Sequence, residues 1–133
     1  MQNAQIKDIF VVDDDDVFAA TIAAFLRTKG LEVKEFYNVN DCIAALRKEK
    51  PSLIITDYNF STGEDDQHTD GFRFYSWVRK VYGNIPFIVF SGQQDGGLVL
   101  KMVREGVRHY IMKDNDMFAE LEESLQDIFQ PHN

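Results

Sequence analysis

Residues 9–16 read IFVVDDDD, a continuously apolar run that stops at four consecutive aspartates. An apolar run without polar alternation is typical of a parallel strand that is buried on both faces. Beyond the aspartates, segment 17–29 repeats apolar residues at helical spacing, at Phe18, Ile22, Phe25 and Leu26. One of the aspartates can cap such a helix, and Gly30 stands where a helix commonly ends. The stretch therefore predicts a strand followed by a helix.

The same alternation continues to the end of the chain. Predicted strands cover residues 9–12, 31–36, 53–56, 86–91 and 108–112. Predicted helices cover residues 17–29, a segment from Asn40 or Asp41 to just before Pro51, and segments 72–81, 98–105 and 116–129. Apolar spacing turns Ile43, Ala44 and Leu46 inward on the second helix, and Phe72, Tyr75, Val78 and Val81 inward on the third.

Strands that alternate with helices predict an α/β fold with a parallel sheet. The chain has 133 residues, too few for a barrel of eight units and about 250 residues. Because crossovers between parallel strands are right-handed, we expect an open, doubly wound sheet with helices on both faces.

Composition limits the possible functions. With 44% hydrophobic residues, the chain can fold as one domain over residues 1–133, and we expect no output domain. A net charge of −8 argues against nucleic-acid binding. The single Cys42 permits no internal disulfide, and no apolar run is typical of a signal peptide or a membrane span. We therefore expect a cytoplasmic protein without membrane contact.

Polar side chains follow four of the five predicted strands. Asp13 and Asp14 follow the first strand, Asp57 the third, Ser91 ends the fourth and Lys113 follows the fifth. Ligands of doubly wound sheets bind outside the carboxyl ends of the strands, where these side chains converge. Carboxylates in excess over one ammonium group favour a divalent cation, and Mg²⁺ prefers such oxygen ligands.

These side chains suit phosphoryl chemistry. Asp57 is a candidate nucleophile of the kind that forms an aspartyl phosphate. Lys113 would neutralise charge on the transferred group, and the hydroxyl of Ser91 would donate a hydrogen bond to it.

Four motifs, in the order in which they occur along the chain, resemble those of a known family. IFVVDDDD with Asp13 and Asp14, LIITDYN with Asp57, IVFSG with Ser91 and YIMK with Lys113 resemble the receiver domains of two-component response regulators, and the single-domain chemotaxis type in particular. The resemblance implies a flavodoxin-like sheet of five strands in the order 2-1-3-4-5, flanked by five helices. It also implies phosphoryl transfer to Asp57, with Mg²⁺, from the phosphohistidine of a histidine kinase or a histidine phosphotransfer protein.

The resemblance implies further roles. Asp13, Asp14, Asp57 and the backbone carbonyl of Asn59 would bind the metal. Tyr110 would act as an aromatic switch coupled to Ser91, and the downstream target would dock on the fourth helix, fifth strand and fifth helix. Asn59 and Gln93 occupy the positions that tune the lifetime of the phosphoryl group in this family.

The chain departs from the family pattern twice. Phe60-Ser61 replaces the usual Met-Pro, and Asp70-Gly71 comes late, so the loop carries an insertion that includes Glu64, Asp65 and Asp66. We expect this insertion to be a solvated excursion, while an electrostatic effect on phosphodonors is the alternative. Lys113-Asp114 replaces the usual Lys-Pro, which predicts either a trans peptide with a reshaped loop or a cis bond held by its surroundings.

Two other functions stay open at this point. Asp13-x-Asp15-x-Val17 also resembles the nucleophile motif of haloacid-dehalogenase-like phosphohydrolases, which would make Asp13 the nucleophile and leave Asp57 idle. The long loop and missing proline also fit an interaction module that is not phosphorylated. A flavin binder is set aside, because the loop after the first strand carries aspartates instead of a phosphate cradle.

Several reactive residue types have simpler structural explanations. Asp15 and Asp16 are predicted to cap a helix or face solvent, although Asp15 could also reach a metal through water. The histidines, His68, His109 and His132, show no metal-ligand spacing. Cys42 and Trp77 are predicted to pack within or against the core.

Overall fold

Five parallel strands alternate with five helices in a computed structural model that describes residues 7–59, 71–92 and 96–130. The strands are β1 (Asp8–Val12), β2 (Glu32–Phe36), β3 (Leu53–Asp57), β4 (Phe87–Ser91) and β5 (His109–Met112). The helices are α1 (Asp16–Arg27), α2 (Val39–Leu46), α3 (Gly71–Tyr82), α4 (Gly96–Arg104) and α5 (Met117–Phe129). The strand order is β2-β1-β3-β4-β5, which confirms the predicted fold class and topology.

Burial of the strands follows their place in the sheet. The central strands β3 and β4 are buried along their whole length, and β1 is buried from Ile9 onward. The edge strand β2 alternates between exposed and partly buried residues. Central strands are covered on both faces, which explains why the sequence shows continuous apolar runs there and alternation at the edge.

The sheet separates two hydrophobic cores. Because successive strand side chains point to opposite faces, Ile9 and Val11 pack with α1 and α5, while Phe10 and Val12 pack with α2, α3 and Met102 of α4. This division places helices on both faces, as expected for a doubly wound sheet.

Two predicted helix faces need correction. Helix α2 begins at Val39, capped by Asn38, and not at Asn40 or Asp41. Its buried residues are Val39, Cys42, Ile43 and Leu46, so the prediction that Ala44 faces inward was wrong. On α3 Val81 is 50% exposed, because the last turn packs Tyr82 against the core instead.

The helices are short. The longest, α5, has 13 residues, and within the described residues no helix combines the length and apolar character that a bilayer crossing requires.

Candidate functional site

The carboxyl edge of the sheet gathers the predicted side chains. Asp13 directly follows β1, Asp57 and Ser91 are the last residues of β3 and β4, and Lys113 directly follows β5. Strand β3 lies between β1 and β4, so Asp57 occupies the middle of the edge. Lys113 therefore reaches across the end of β4 to the two aspartates.

Lys113 is the cation of this cluster. Its Nζ lies 3.0 Å from Oδ1 of Asp57 and 3.3 Å from Oδ2 of Asp13. The same nitrogen lies 4.2 Å from the centroid of the Phe18 ring. The backbone N–H of Lys113 donates to the carbonyl of Ser91 at 2.9 Å. No cis peptide bond occurs in the described residues, so the Lys113-Asp114 peptide is trans, the first of the two predicted geometries.

Asp13 is anchored through both its backbone and its carboxylate. Its N–H donates to the carbonyl of Phe36 at 3.0 Å, which ties the end of β1 to the end of β2. Its Oδ1 accepts from the N–H of Asp15 at 2.9 Å. The side chain of Asp15 in turn caps α1, accepting from the N–H groups of Val17 and Phe18. Of the four aspartates, any one of which was expected to cap this helix, Asp15 is the one that does so.

Three carboxylates form a candidate metal site. One oxygen each from Asp13, Asp14 and Asp57 lies within 4.8 Å of the other two. A cluster made only of carboxylate oxygens fits a hard cation that keeps part of its water shell, and Mg²⁺ has this preference. Asn59, the fourth predicted ligand, lies two residues beyond Asp57 and is exposed; the role of its carbonyl stays a prediction.

Burial controls the electrostatics of the cluster. Asp13 and Asp57 are only 2% and 6% exposed. Burial, together with the negative charge of Asp13, raises the pKa of Asp57 to about 6 against the partial compensation of Lys113. Burial also raises the pKa of Asp13. For Lys113, burial lowers the pKa, but the hydrogen bond to Asp57 and the charges of both aspartates outweigh it and the net shift is upward. Without added positive charge, the site thus penalises ionisation of its acids.

Gly71 supports the backbone behind Asp57. Its N–H donates to the carbonyl of Tyr58 at 2.6 Å. A Cβ at position 71 would stand 2.2 Å from the carbonyl oxygen of Asp57 and 2.9 Å from Cα of Tyr58. Only glycine therefore lets the start of α3 pack this closely against the end of β3.

Phe18 and Gly71 are the site residues whose roles the sequence reasoning missed. Phe18 was predicted only as an apolar residue of the first helix, and Gly71 only as part of a displaced motif. A signal for Phe18 exists, because the first turn of a helix that follows a site-forming strand lies at the same edge of the sheet. The contact of Gly71 with β3 has no comparable local signal.

The predicted switch residues lie on neighbouring strands. Ser91 is fully buried at the end of β4, and Tyr110 is partly buried in β5, packed against the core that contains α3 and α4. Gln93 and the insertion with Glu64, Asp65 and Asp66 lie outside the described residues, so the predictions for them stay predictions.

Cys42, His109 and Trp77 lie among neighbours that give each of them a structural role. Cys42 is a buried free cysteine, and burial raises the pKa of its thiol. Nε2 of His109 lies 3.0 Å from Oδ2 of Asp127. Trp77 packs edge-on against Tyr82, with ring centroids 5.7 Å apart. His68 and His132 lie outside the described residues.

Comparison with known proteins points to one family. Residues 9–126 match the family model of the response regulator receiver domain. The chain is 22% identical over 113 residues to the DNA-binding transcriptional regulator NtrC of Proteus hauseri, a match that covers 85% of this chain and 23% of that protein. It spans about a fifth of the length of the first curated relatives it matches.

Solved structures share the fold. A two-component response regulator from Clostridium difficile has a TM-score of 0.81 at 21% identity, covering 96% of this chain and 98% of that chain. A CheY-like receiver domain protein from Methanospirillum hungatei has a TM-score of 0.78 at 20% identity, covering 96% of this chain and 100% of that one.

Proposed function

The chain belongs to the response regulator receiver domain family of two-component systems, and from this premise we propose that Asp57 accepts a phosphoryl group from a phosphohistidine. The donor would be a histidine kinase or a histidine phosphotransfer protein. The phosphorylated chain would then signal by docking to a downstream protein. This role is that of a phosphoacceptor switch and not of an enzyme that acts on a small substrate.

One observation carries the proposal. The Asp57 carboxylate ends the central strand, is nearly buried, and has a lysine nitrogen 3.0 Å from one of its oxygens. Its carboxylate neighbours, Asp13 and Asp14, complete a set of oxygens suited to a cation. A nucleophilic carboxylate beside fixed positive charge is the arrangement that phosphoryl transfer requires.

Phosphoryl transfer exchanges a phosphorus–nitrogen bond for a phosphorus–oxygen bond. A carboxylate oxygen of Asp57 forms a bond to phosphorus, the phosphorus–nitrogen bond of the phosphohistidine breaks, and the leaving imidazole nitrogen keeps the electron pair and takes up a proton. Lys113 neutralises charge on a phosphoryl oxygen, and the hydroxyl of Ser91 donates a hydrogen bond to another.

The proposed metal is Mg²⁺, held by Asp13, Asp14, Asp57 and the carbonyl of Asn59. When bound, it supplies positive charge that offsets the phosphoryl oxygens and the three carboxylates. The raised pKa values of Asp13 and Asp57 support this assignment, because burial disfavours their ionised forms and a bound cation would offset that cost.

We propose that the signal leaves through α4, β5 and α5. Ser91 and Tyr110 would couple phosphorylation to this face by a shift between two populations. The apolar surface of α4 supports a docking role, since Leu100 is 51% and Val103 is 60% exposed. Exposed apolar side chains on one helix favour contact with another protein.

Asn59 and Gln93 would set the lifetime of the phosphoryl group. Both side chains are neutral amides, able to orient a water molecule but not to act as its base. We propose the cytoplasm as the location, supported by a sequence whose single cysteine, Cys42, permits no internal disulfide.

Neither alternative function has comparable support. A phosphohydrolase with Asp13 as nucleophile would leave Asp57 idle, whereas Asp57 ends the central strand and is the carboxylate nearer to Lys113, at 3.0 Å against 3.3 Å. An interaction module that is not phosphorylated would not need a buried cluster of acids around a lysine.

Intact-mass spectrometry tests the proposal. The chain is incubated with acetyl phosphate, with Mg²⁺ or with EDTA, as wild type, Asp57→Asn and Asp13→Asn. We expect one added phosphoryl group in the wild type with Mg²⁺ and none in Asp57→Asn. Full labelling of Asp57→Asn that is lost in Asp13→Asn would instead support the phosphohydrolase.

A further inference from the structure

The edge of the sheet opposite the acidic site contains two adjoining cavities. They have volumes of about 710 and 480 Å³ and share Tyr75, Arg79 and Gly106. They lie between the C-terminal half of α3, the α4–β5 connection and the end of α5. We call them together the basic groove, after four lining residues, Arg79, Lys80, Arg104 and Arg108.

The charge of the basic groove is opposite to that of the whole chain. The acids that line it are Glu105 and Asp127, against its four cations, while the whole chain carries a net charge of −8. Asp127 already faces His109 at 3.0 Å. Within the described part of the chain, Lys80, Arg104 and Arg108 form no ion pair, although other surface cations do, such as Arg27 with Glu35.

Arg79 is held in place before any ligand arrives. Its Nη1 donates to the hydroxyl of Tyr75 at 2.7 Å and also to the carbonyl of Glu105. The Tyr75 hydroxyl donates to the same carbonyl at 3.0 Å. These contacts fix the guanidinium while its other N–H groups keep their capacity to donate, so binding there would cost less ordering entropy.

Gly106 makes room for this arrangement. Its φ is +99°, and a Cβ there would stand 2.1 Å from Nη1 of Arg79. The positive φ favours glycine at this position, and a Cβ there would displace the end of the Arg79 side chain.

We propose that the basic groove binds an acidic peptide segment of a partner protein. The cations would receive carboxylates, and Tyr75, Phe87 and Val107 provide an apolar wall for one large side chain. Sites for small molecules enclose most of the ligand surface, whereas these two cavities are open to solvent and continue past Gly106, as an extended chain requires.

This site is independent of the proposed phosphorylation. The basic groove lies at the start of β4 and the acidic cluster at its end, and the strand has five residues, a length of roughly 16 Å. Both sites can therefore be occupied at once.

Fluorescence anisotropy with a defined probe tests the proposal. The probe is a short fluorescein-labelled peptide of alternating Glu and Leu, titrated with the 133-residue chain. We expect the double variant Arg104→Gln/Arg108→Gln to bind about tenfold more weakly and the affinity to fall with added salt. The matched control is Arg47→Gln/Lys48→Gln, which removes two exposed cations near the end of α2; it should bind like the wild type.

Backbone amide NMR locates the contact. We expect the peptide to shift signals of residues 79–80 and 104–108. Equal affinity of both double variants, or equal binding of a peptide in which Gln replaces every Glu, would overturn the proposal. Competition by pyrophosphate at the same concentration as the peptide would also overturn it in favour of a small-anion site. Asp57→Asn should bind the peptide normally, so failure of phosphorylation and failure of this site are separate results.

Discussion

The ammonium nitrogen of Lys113 lies 4.2 Å from the centre of the Phe18 ring. Phe18 lies in the first turn of α1, and the same nitrogen lies 3.0 Å from Oδ1 of Asp57. The contact with the ring matters because Asp114 stands where the family pattern has proline, so the loop after β5 lacks that constraint on the lysine. A partly buried cation over an aromatic face is stabilised by about 1 kcal/mol.

Replacing this ring should slow phosphorylation. We expect Phe18→Leu to reduce the rate of labelling by acetyl phosphate about two- to fivefold, because the lysine loses a contact worth about 1 kcal/mol. The control is Phe25→Leu on the same helix, whose ring packs 5.0 Å from that of Phe118. Equal rates in the two variants would show that the Phe18 contact does not position Lys113.

Removing the charge of Asp57 should stabilise the metal-free protein at neutral pH. The pKa of Asp57 is about 6 in the folded chain against an ordinary value of 3.8. Between these values the folded state binds more protons than the unfolded state, so stability falls as pH rises through this window. Above it the penalty is fully present, and we expect Asp57→Asn to be more stable by about 1–3 kcal/mol.

Urea unfolding in EDTA measures this difference. It should be largest at pH 7.5 and should shrink toward pH 4, where the wild-type carboxyl is increasingly protonated. A difference in the free energy of unfolding that does not change with pH would show that burial of the Asp57 carboxylate is not its cause. Added Mg²⁺ should reduce the difference at pH 7.5, because it stabilises the wild type more than the variant.

The acidic run offers a matched test of the metal site. Asp13→Asn should weaken Mg²⁺ binding at least about tenfold, because it removes a carboxylate from a cluster of three. Asp16→Asn removes an equal charge from an exposed residue in the first turn of α1 and should leave affinity nearly unchanged. Isothermal titration calorimetry measures both; equal losses would indicate general attraction to the acidic run and no defined site.

Replacing Gly71 by alanine should destabilise the fold where α3 packs against the end of β3. Gly71→Ala places a Cβ against the backbone of Asp57, and we expect a loss of about 1–3 kcal/mol in the free energy of unfolding. Alanine has a higher helix propensity than glycine. A loss of stability in Gly71→Ala would therefore come from the clash of the new Cβ with the backbone of β3. Gly96→Ala, also at a helix start but in open space, serves as the control. Unfolding curves that are the same for both variants would contradict the close packing.

Sequence reasoning reached the fold and most of the site through local signals. The continuous apolar runs of β1 and β3 and the polar residues behind them, such as Asp13 and Asp57, predict a sheet edge without any knowledge of distant contacts. The start of α2 was predicted one or two residues late, because Asn38, Asn40 and Asp41 are all residue types that cap helices. In the structure Asn38 is the cap, its Oδ1 accepting from the N–H of Asp41 at 2.8 Å, and Val39 packs against the core.

Contacts between distant segments were the part that could not be predicted. The contacts of Phe18 with Lys113 and of Gly71 with Asp57 depend on where each helix packs against the strand ends. The periodicity of apolar residues in the sequence does not specify that position. The basic groove is likewise assembled from α3, the α4–β5 connection and α5, and its cations are scattered along the sequence.

Peptide mapping of the modified residue tests directly whether Asp57 is the phosphoacceptor. After labelling with acetyl phosphate and Mg²⁺, borohydride reduction converts an aspartyl phosphate to homoserine, and peptide mass spectrometry reads its position. We expect homoserine at position 57 alone, and none when EDTA replaces Mg²⁺. Homoserine at Asp13 or Asp14, with Asp57 unmodified, would contradict this assignment.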